Sequence, residues 1–274
     1  MPKRLSRRDL LRVAGCCAVG IAALDAFALE PSWLEIAEHD VPVPGLPRGL
    51  EGFRIAHLSD LHLSSLGSVH DAVLAAMKAF QPNLVVLTGD SVEDPNALGV
   101  LSEFCRALAA NGREVVATVG NWEHWGEVPM VELRRAYVRV GAKLLGNESA
   151  RLTSGIAVVA TDDACSGHHD LASALRDPPA GAARLFLTHA PGIFDELPKG
   201  TPRFDLGLAG HTHGGQVRAF GAPIWVPPGS GRFRSGMYTT DKGQIYVSRG
   251  IGTSVLSVRF TCRPELPVFR LVAG

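Results

Sequence analysis

Five apolar runs in this chain each stop on a residue that can bind a cation or move a proton. Residues 84–88 run into Gly89-Asp90, and residues 53–59 into Asp60-Leu61-His62. Residues 115–119 run into Gly120-Asn121, residues 185–188 into His189, and residues 206–209 into Gly210-His211-Thr212-His213. A short, partly β-branched run of this kind reads as a buried strand that carries its terminal side chain to the end of a sheet. The glycine before Asp90 lets the backbone turn sharply or approach a ligand closely. Taken singly, each has an ordinary meaning: Gly-Asp is a common turn, and a lone histidine at a strand end is usually a hydrogen-bonded core or surface residue. Five in order point to a metal site. Carboxylate, imidazole and amide donors suit manganese, iron or zinc better than calcium, and the absence of cysteine from the set argues against a structural zinc. Asp90 takes the central place, because a carboxylate with two oxygens can bridge two ions. Asp60 and His62 are two apart, as are His211 and His213, so in extended chain each pair points to one side of the backbone.

Strands that end together must belong to sheets. Residues 70–80 place Val73, Leu74, Met77 and Phe80 on one helical face, and residues 97–110 do the same with Leu98, Leu101, Phe104, Cys105 and Leu108. A third helix is expected near residues 130–140. Strand, crossover helix and strand in alternation imply parallel strands, whose ligands bind beyond their carboxyl ends. The second half is richer in β-structure. Residues 150–161 alternate like strands with an exposed face, and a short helix capped by Asp170 follows. A hairpin over residues 236–248 turns at Asp241-Lys242-Gly243, short β-structure is expected at 223–226, and final strands are expected near 255–260 and 267–272. Residues 33–36 read as a first strand, and Val41-Pro42-Val43-Pro44 as extended edge chain.

Residues 1–29 read as a targeting segment ahead of one domain, residues 30–274. Lys3, Arg4, Arg7, Arg8 and Arg12 make a basic region, and residues 13–24 are small or apolar. Ser6-Arg7-Arg8-Asp9-Leu10-Leu11 resembles a twin-arginine export signal, and Ala26-Phe27-Ala28 offers small residues to a signal peptidase. Export by that machinery to the periplasm or an extracytoplasmic membrane surface is therefore expected. The apolar core reads as too short for a membrane span, with Asp25 interrupting it. The alternative is an uncleaved amphipathic helix. Acidic and basic side chains balance at 27 each, so no nucleic-acid-binding surface is expected. Five cysteines, two of them in the leader, make no disulfide framework, and buried free thiols are expected.

Asp60-x-His62, Gly89-Asp90, Gly120-Asn121, His189 and Gly210-His211-Thr212-His213 resemble the five motifs of the calcineurin-like metallophosphoesterases. Residues 30–33, 210–216, 248–252 and 262–265 are similar to a subgroup of bacterial phosphodiesterases of the YaeI and YkuE type. The resemblance spans nearly the whole chain. It implies a four-layer αββα sandwich: two mixed β-sheets flanked by helices, with two metal ions at the sheet ends. By that pattern Asp60, His62 and His213 hold one ion, Asn121, His189 and His211 hold the other, and Asp90 bridges them. The implied reaction is hydrolysis of a phosphodiester. Two cations about 3.5–4 Å apart acidify a bridging water, and the hydroxide attacks phosphorus in line with the leaving oxygen. Alternatives are a phosphomonoesterase, a pyrophosphatase of a nucleotide or lipid-linked substrate, and a non-catalytic binding module on the same fold.

One departure stands out. The family motif usually reads Gly-Asn-His followed by an acid, and that histidine assists the leaving group. This chain reads Gly120-Asn121-Trp122-Glu123-His124. Trp122 cannot relay a proton, and general acid help is typically worth about 10²–10⁴-fold. His124 is the candidate replacement, joining Asp90 and Asn121 as a catalytic candidate. Asp162, Asp163, His168 and His169 form a loop that could border the site, Arg249 could meet phosphate or form an ion pair, and His57 and His70 read as structural. Trp122 and Trp125 could wall an apolar substrate or simply pack.

Overall fold

The computed structural model describes residues 7–274. Lys3, Arg4 and Ser6 of the leader motif lie outside the described residues. In chain order the strands are β1 (Glu35–Val43), β2 (Arg54–Leu58), β3 (Leu84–Thr88), β4 (Glu114–Thr118), β5 (Lys143–Leu144), β6 (Glu148–Arg151), β7 (Ala157–Ala160), β8 (Arg184–Leu187), β9 (Phe204–Ala209), β10 (Arg218–Ala219), β11 (Ala222–Pro223), β12 (Gly236–Thr240), β13 (Gly243–Val247) and β14 (Glu265–Ala273). The α-helices are α1 (Arg7–Leu24), α2 (Ser68–Phe80), α3 (Leu98–Leu108), α4 (Asn121–Trp125), α5 (Met130–Val138) and α6 (Leu171–Ala174).

Two six-stranded sheets carry the molecule, in the orders β1-β14-β2-β3-β4-β5 and β12-β13-β9-β8-β7-β6. Both are mixed. Strands β2 to β5 run parallel, as do β7, β8, β9 and β13, while β14, β6 and β12 supply antiparallel pairings. The two-residue period of a strand explains the layers. Leu84 and Val86 of β3 pack between the sheets against Leu185, Leu187, Leu206 and Leu208, whereas Val85 and Leu87 face α2, α3 and α5. On the second sheet Phe186 and Phe204 turn outward to Phe194 and Phe233. That outer layer is thin, built from α6 and the 3₁₀ turn Pro191–Glu196. The architecture is the expected αββα sandwich.

Several local expectations are corrected. Residues 157–160 have no exposed face: β7 lies between β6 and β8 and is buried throughout. Residues 255–260 form no strand beyond a single bridge from Val217 to Phe260. The chain there wraps the side chain of Arg259, which is fully buried and donates to the carbonyls of Arg249, Gly250, Gly252 and Cys262. A buried guanidinium with five donors satisfies carbonyls that a sheet would otherwise pair. Strand β1 is an edge strand, paired only with β14, so Pro42 removes no ladder bond the sheet needs.

The leader is also longer than its sequence suggests. Helix α1 continues through a π-helical turn, Asp25–Leu29, and a 3₁₀ turn, Glu30–Ser32, so Asp25 does not stop it. The 23-residue stretch Leu10–Ser32 is long and apolar enough to cross a membrane. Its far end is tied to the domain. Ala26 is buried and its carbonyl accepts from the Arg259 N–H, and the buried Glu30 carboxylate accepts from the Thr261 and Cys262 N–H groups. The cysteines among the described residues are free, with Cys105 and Cys262 buried.

Candidate metal centre

All five motif segments emerge at the carboxyl ends of parallel strands: β2, β3 and β4 of one sheet, β8 and β9 of the other. The chain turns abruptly there. Asp60, His62, Asp90, His211 and His213 all have positive φ, between 47° and 70°. A non-glycine residue in this region is uncommon, and several together mark a functional site. The alternation expected for Asp60/His62 and His211/His213 is therefore corrected: neither pair is extended. Asp60 and His62 still converge, but His211 and His213 diverge into different clusters. Two glycines make room. A Cβ on Gly89 (φ 77°) would lie 2.7 Å from the Gly120 Cα, and a Cβ on Gly120 would collide with the Asp90 carboxylate.

One cluster holds Asp60, His62 and His213 with Asp90, their ligand atoms all within 4.8 Å of one another. His62 Nε2 lies 3.1 Å from His213 Nε2, and His213 Nε2 lies 3.4 Å from an Asp60 oxygen. The second cluster holds Asn121, His189 and His211. Asn121 Oδ1 is 3.1 Å from His189 Nε2 and 2.9 Å from His211 Nδ1, and the two imidazole nitrogens are 3.2 Å apart. Asp90 stands between, with Oδ2 3.1 Å from His189 Nε2 and 3.8 Å from His62 Nε2. The structure thus brings together all seven proposed ligands, in two groups that share Asp90.

The outer nitrogens of these rings decide what the inner ones can do. His62 Nδ1 donates to Glu93 at 2.5 Å, His189 Nδ1 to the Thr88 carbonyl at 2.7 Å, and His211 Nε2 to the Pro228 carbonyl at 2.7 Å. In the neutral ring each inner nitrogen then presents a lone pair. The inner nitrogens of two rings lie about 3 Å apart in each cluster, His62 against His213 and His189 against His211, so without a cation one ring of each pair must hold a proton between them. A metal ion can replace that proton and take the lone pairs of both rings, so the donor set fits metal ions. Burial pushes His213 well below the usual histidine range, with the His62 charge adding to it, and burial also lowers His211, so both stay neutral. Burial alone would push the Asp90 carboxyl up, but the charge and hydrogen bond of His189 outweigh it and hold Asp90 at about 2.

Glu123 is the residue that motif reading missed. Its buried carboxylate accepts from three backbone N–H groups: Asp90 at 3.0 Å, Ser91 at 2.6 Å and Gly120 at 2.9 Å. It therefore clamps the end of β3 to the end of β4. Burial and the nearby Asp90 charge push it up to about 7, while those donors favour its ionised form. Its signal was the glutamate three residues after Gly120, where a capping box places its acid.

The remaining candidates fall elsewhere. Trp122 donates its backbone N–H to Asp90 Oδ1 at 2.9 Å, and with Trp125 it lines a cavity of about 470 Å³ that opens from Asp90, Asn121 and His211. His124 is not on that wall. Its Nε2 lies 2.7 Å from Asp162 Oδ1, and its ring stacks on His168 at 3.8 Å. The bond to Asp162 raises its pKa, against a smaller opposing effect of burial. The 162–169 loop reaches the centre through Cys165, whose Sγ is 3.4 Å from His211 Nε2. Arg249 pairs with Glu35 and Glu265, so it is structural. His57 is fully buried against Thr88, and His70 caps α2 through Gly67.

The family model for calcineurin-like phosphoesterases matches residues 53–215, the span that carries every ligand described above. The chain belongs to the calcineurin-like phosphoesterase family. This phosphoesterase is 31% identical to the metallophosphoesterase YkuE of Bacillus subtilis (strain 168), over 98% of each chain. It is 30% identical to the phosphodiesterase YaeI of Escherichia coli (strain K12), over 98% of its own length and 100% of that relative's. It is also 25% identical to a transmembrane protein with a metallophosphoesterase domain from Danio rerio, over 95% of its own length and 62% of the other's. The phosphoesterase is accordingly a metal-dependent phosphoric ester hydrolase.

Proposed function

We propose that this phosphoesterase is a phosphodiesterase that works with two metal ions, held by Asp60, His62 and His213 on one side and Asn121, His189 and His211 on the other, with Asp90 shared. The observation that carries this is the pair of imidazole clusters joined through Asp90. Bound ions, whether manganese, iron or zinc, would supply Lewis acidity and a nucleophile near neutral pH. The chain's own residues do the rest. Asp60 and Asp90 balance the positive charge, and their buried positions keep the field strong by excluding water. Glu93, Thr88 and Pro228 fix the outer nitrogens of His62, His189 and His211.

The cavity favours a diester. Its walls carry no lysine or arginine among the described residues, so the second negative charge of a monoester would enter an apolar space unpaired. Apart from the proposed ligands, no group on that wall titrates near neutrality. No residue on that wall is placed to protonate the leaving group, which suits leaving oxygens of low basicity. His124, committed to Asp162, positions the loop that carries Cys165 instead of giving a proton. The N-terminal segment serves export through the twin-arginine machinery and places the domain on the extracytoplasmic side of a membrane.

The test compares bis-p-nitrophenyl phosphate with p-nitrophenyl phosphate, using the full manganese-loaded chain. A kcat/KM at least about tenfold higher for the diester is expected from the cost of burying an unpaired charge. The reverse order would make the protein a monoesterase. Bound metal with neither substrate turned over would favour the binding module.

A further inference from the structure

The cavity beside the metal centre is framed by apolar side chains that the fold leaves in solvent. Trp125 is 56% exposed, Ile224 68%, Trp225 65%, Val255 87% and Leu256 64%, and Phe220 at the tip of the β10–β11 turn is fully exposed. Trp125, Trp225, Val255 and Leu256 are also cavity residues. Exposed apolar residues gathered round one cavity, as Trp125, Trp225, Val255 and Leu256 are, mark a binding or membrane-contact site, in contrast to scattered single residues.

The backbone holds two of these side chains outward at a cost. Val255 sits at φ 64° and Phe220 at φ 52°. A β-branched residue in the left-handed region is a true outlier, and such strain persists where the surroundings impose it. Here the surroundings are identifiable. Gln216 donates to the carbonyls of Ser254 and Leu256 and accepts from the Ser254 N–H, fixing the chain on both sides of Val255.

The same segment meets the leader. Arg259, three residues past Leu256, donates its backbone N–H to Ala26, and Thr261 and Cys262 donate to Glu30. The helix that is long and apolar enough to cross a membrane therefore ends against the loop whose other end forms the cavity mouth. A chain anchored this way would present that mouth to the bilayer.

We propose that the cavity takes the hydrocarbon tail of a membrane phosphodiester, with its phosphate at Asp90, Asn121 and His211 and its tail running out past Trp122 and Trp225 to the rim at Val255 and Leu256. This rests on the phosphodiesterase reading for the phosphate, and on the rim and the leader contact for the tail. A volume of about 470 Å³ lies within the range of roughly 300–1,000 Å³ of small-molecule sites. The rim residues then rest in the membrane interface, where tryptophan is favoured.

Binding tests the tail separately from turnover. The probes are methyl-, butyl- and octylphosphonate below their micelle concentrations, titrated calorimetrically into the full manganese-loaded chain. Octylphosphonate adds seven methylenes to methylphosphonate, and at about a factor of two for each half-buried methylene it is expected to bind on the order of 100-fold more tightly. Val255→Ser/Leu256→Ser, at exposed positions where folding is not at stake, is expected to cut that ratio about tenfold. Equal affinity for the methyl and octyl probes would overturn the inference, as would a ratio the double variant leaves unchanged. A steep chain-length dependence in a protein that turns over no diester would keep the lipid site and remove the phosphodiesterase reading instead.

Discussion

Asp90→Asn is expected to lower kcat/KM for a phosphodiester by about 10³-fold or more, a loss of about 4 kcal/mol of transition-state stabilisation. The substitution is mild in every other respect. Asparagine is among the residues that best tolerate the left-handed region, so φ 50° adds no strain. Its side-chain oxygen can still accept the Trp122 N–H, as Asp90 Oδ1 does at 2.9 Å. What it removes is the one negative charge placed between His62 and His189. Circular dichroism should therefore be unchanged while steady-state kinetics collapse. A loss under about tenfold would mean that Asp90 does not join the two clusters.

Glu123→Ala has the largest expected effect on stability. It strips acceptors from three buried N–H groups at once, on Asp90, Ser91 and Gly120. An unsatisfied buried donor costs about 1–3 kcal/mol, and water entering the space recovers part of the sum, so a loss of about 3–5 kcal/mol is expected. Urea denaturation of the metal-free protein measures it. Because Glu123 fixes β3 and β4 relative to one another, metal affinity should fall with stability. Unchanged stability would show that the three bonds are replaceable by solvent.

Much of the centre was legible in the sequence because each ligand follows a buried strand. Leu84 to Thr88 could only be an interior strand, and an interior strand delivers its next side chains to the sheet end. What alternation could not give was how those side chains turn. Asp60, His62, His211 and His213 adopt left-handed backbone, so the rule for extended chain fails where the ligands sit, and only the family resemblance separated His211 from His213. Glu93 and Pro228 escaped notice because their contacts lie 31 and 17 residues away in sequence, and Glu123 because two of its three donors, on Asp90 and Ser91, lie 33 and 32 residues away. The buried Arg259 defeated the strand expected at 255–260 for the same reason: its partners are carbonyls gathered by the fold. The leader reads as short because a single acid interrupts its apolar core, whereas a π-helical turn carries Asp25 without breaking the helix.

Metal content is the most direct measurement. The full chain would be loaded with manganese, freed of excess metal and assayed by plasma mass spectrometry beside His62→Ala and His189→Ala, one variant from each cluster. Two ions per wild-type chain, with loss of an ion in each variant, is the expected result. A wild-type chain that holds no ion, or one whose content neither variant changes, would contradict a two-metal centre built around Asp90.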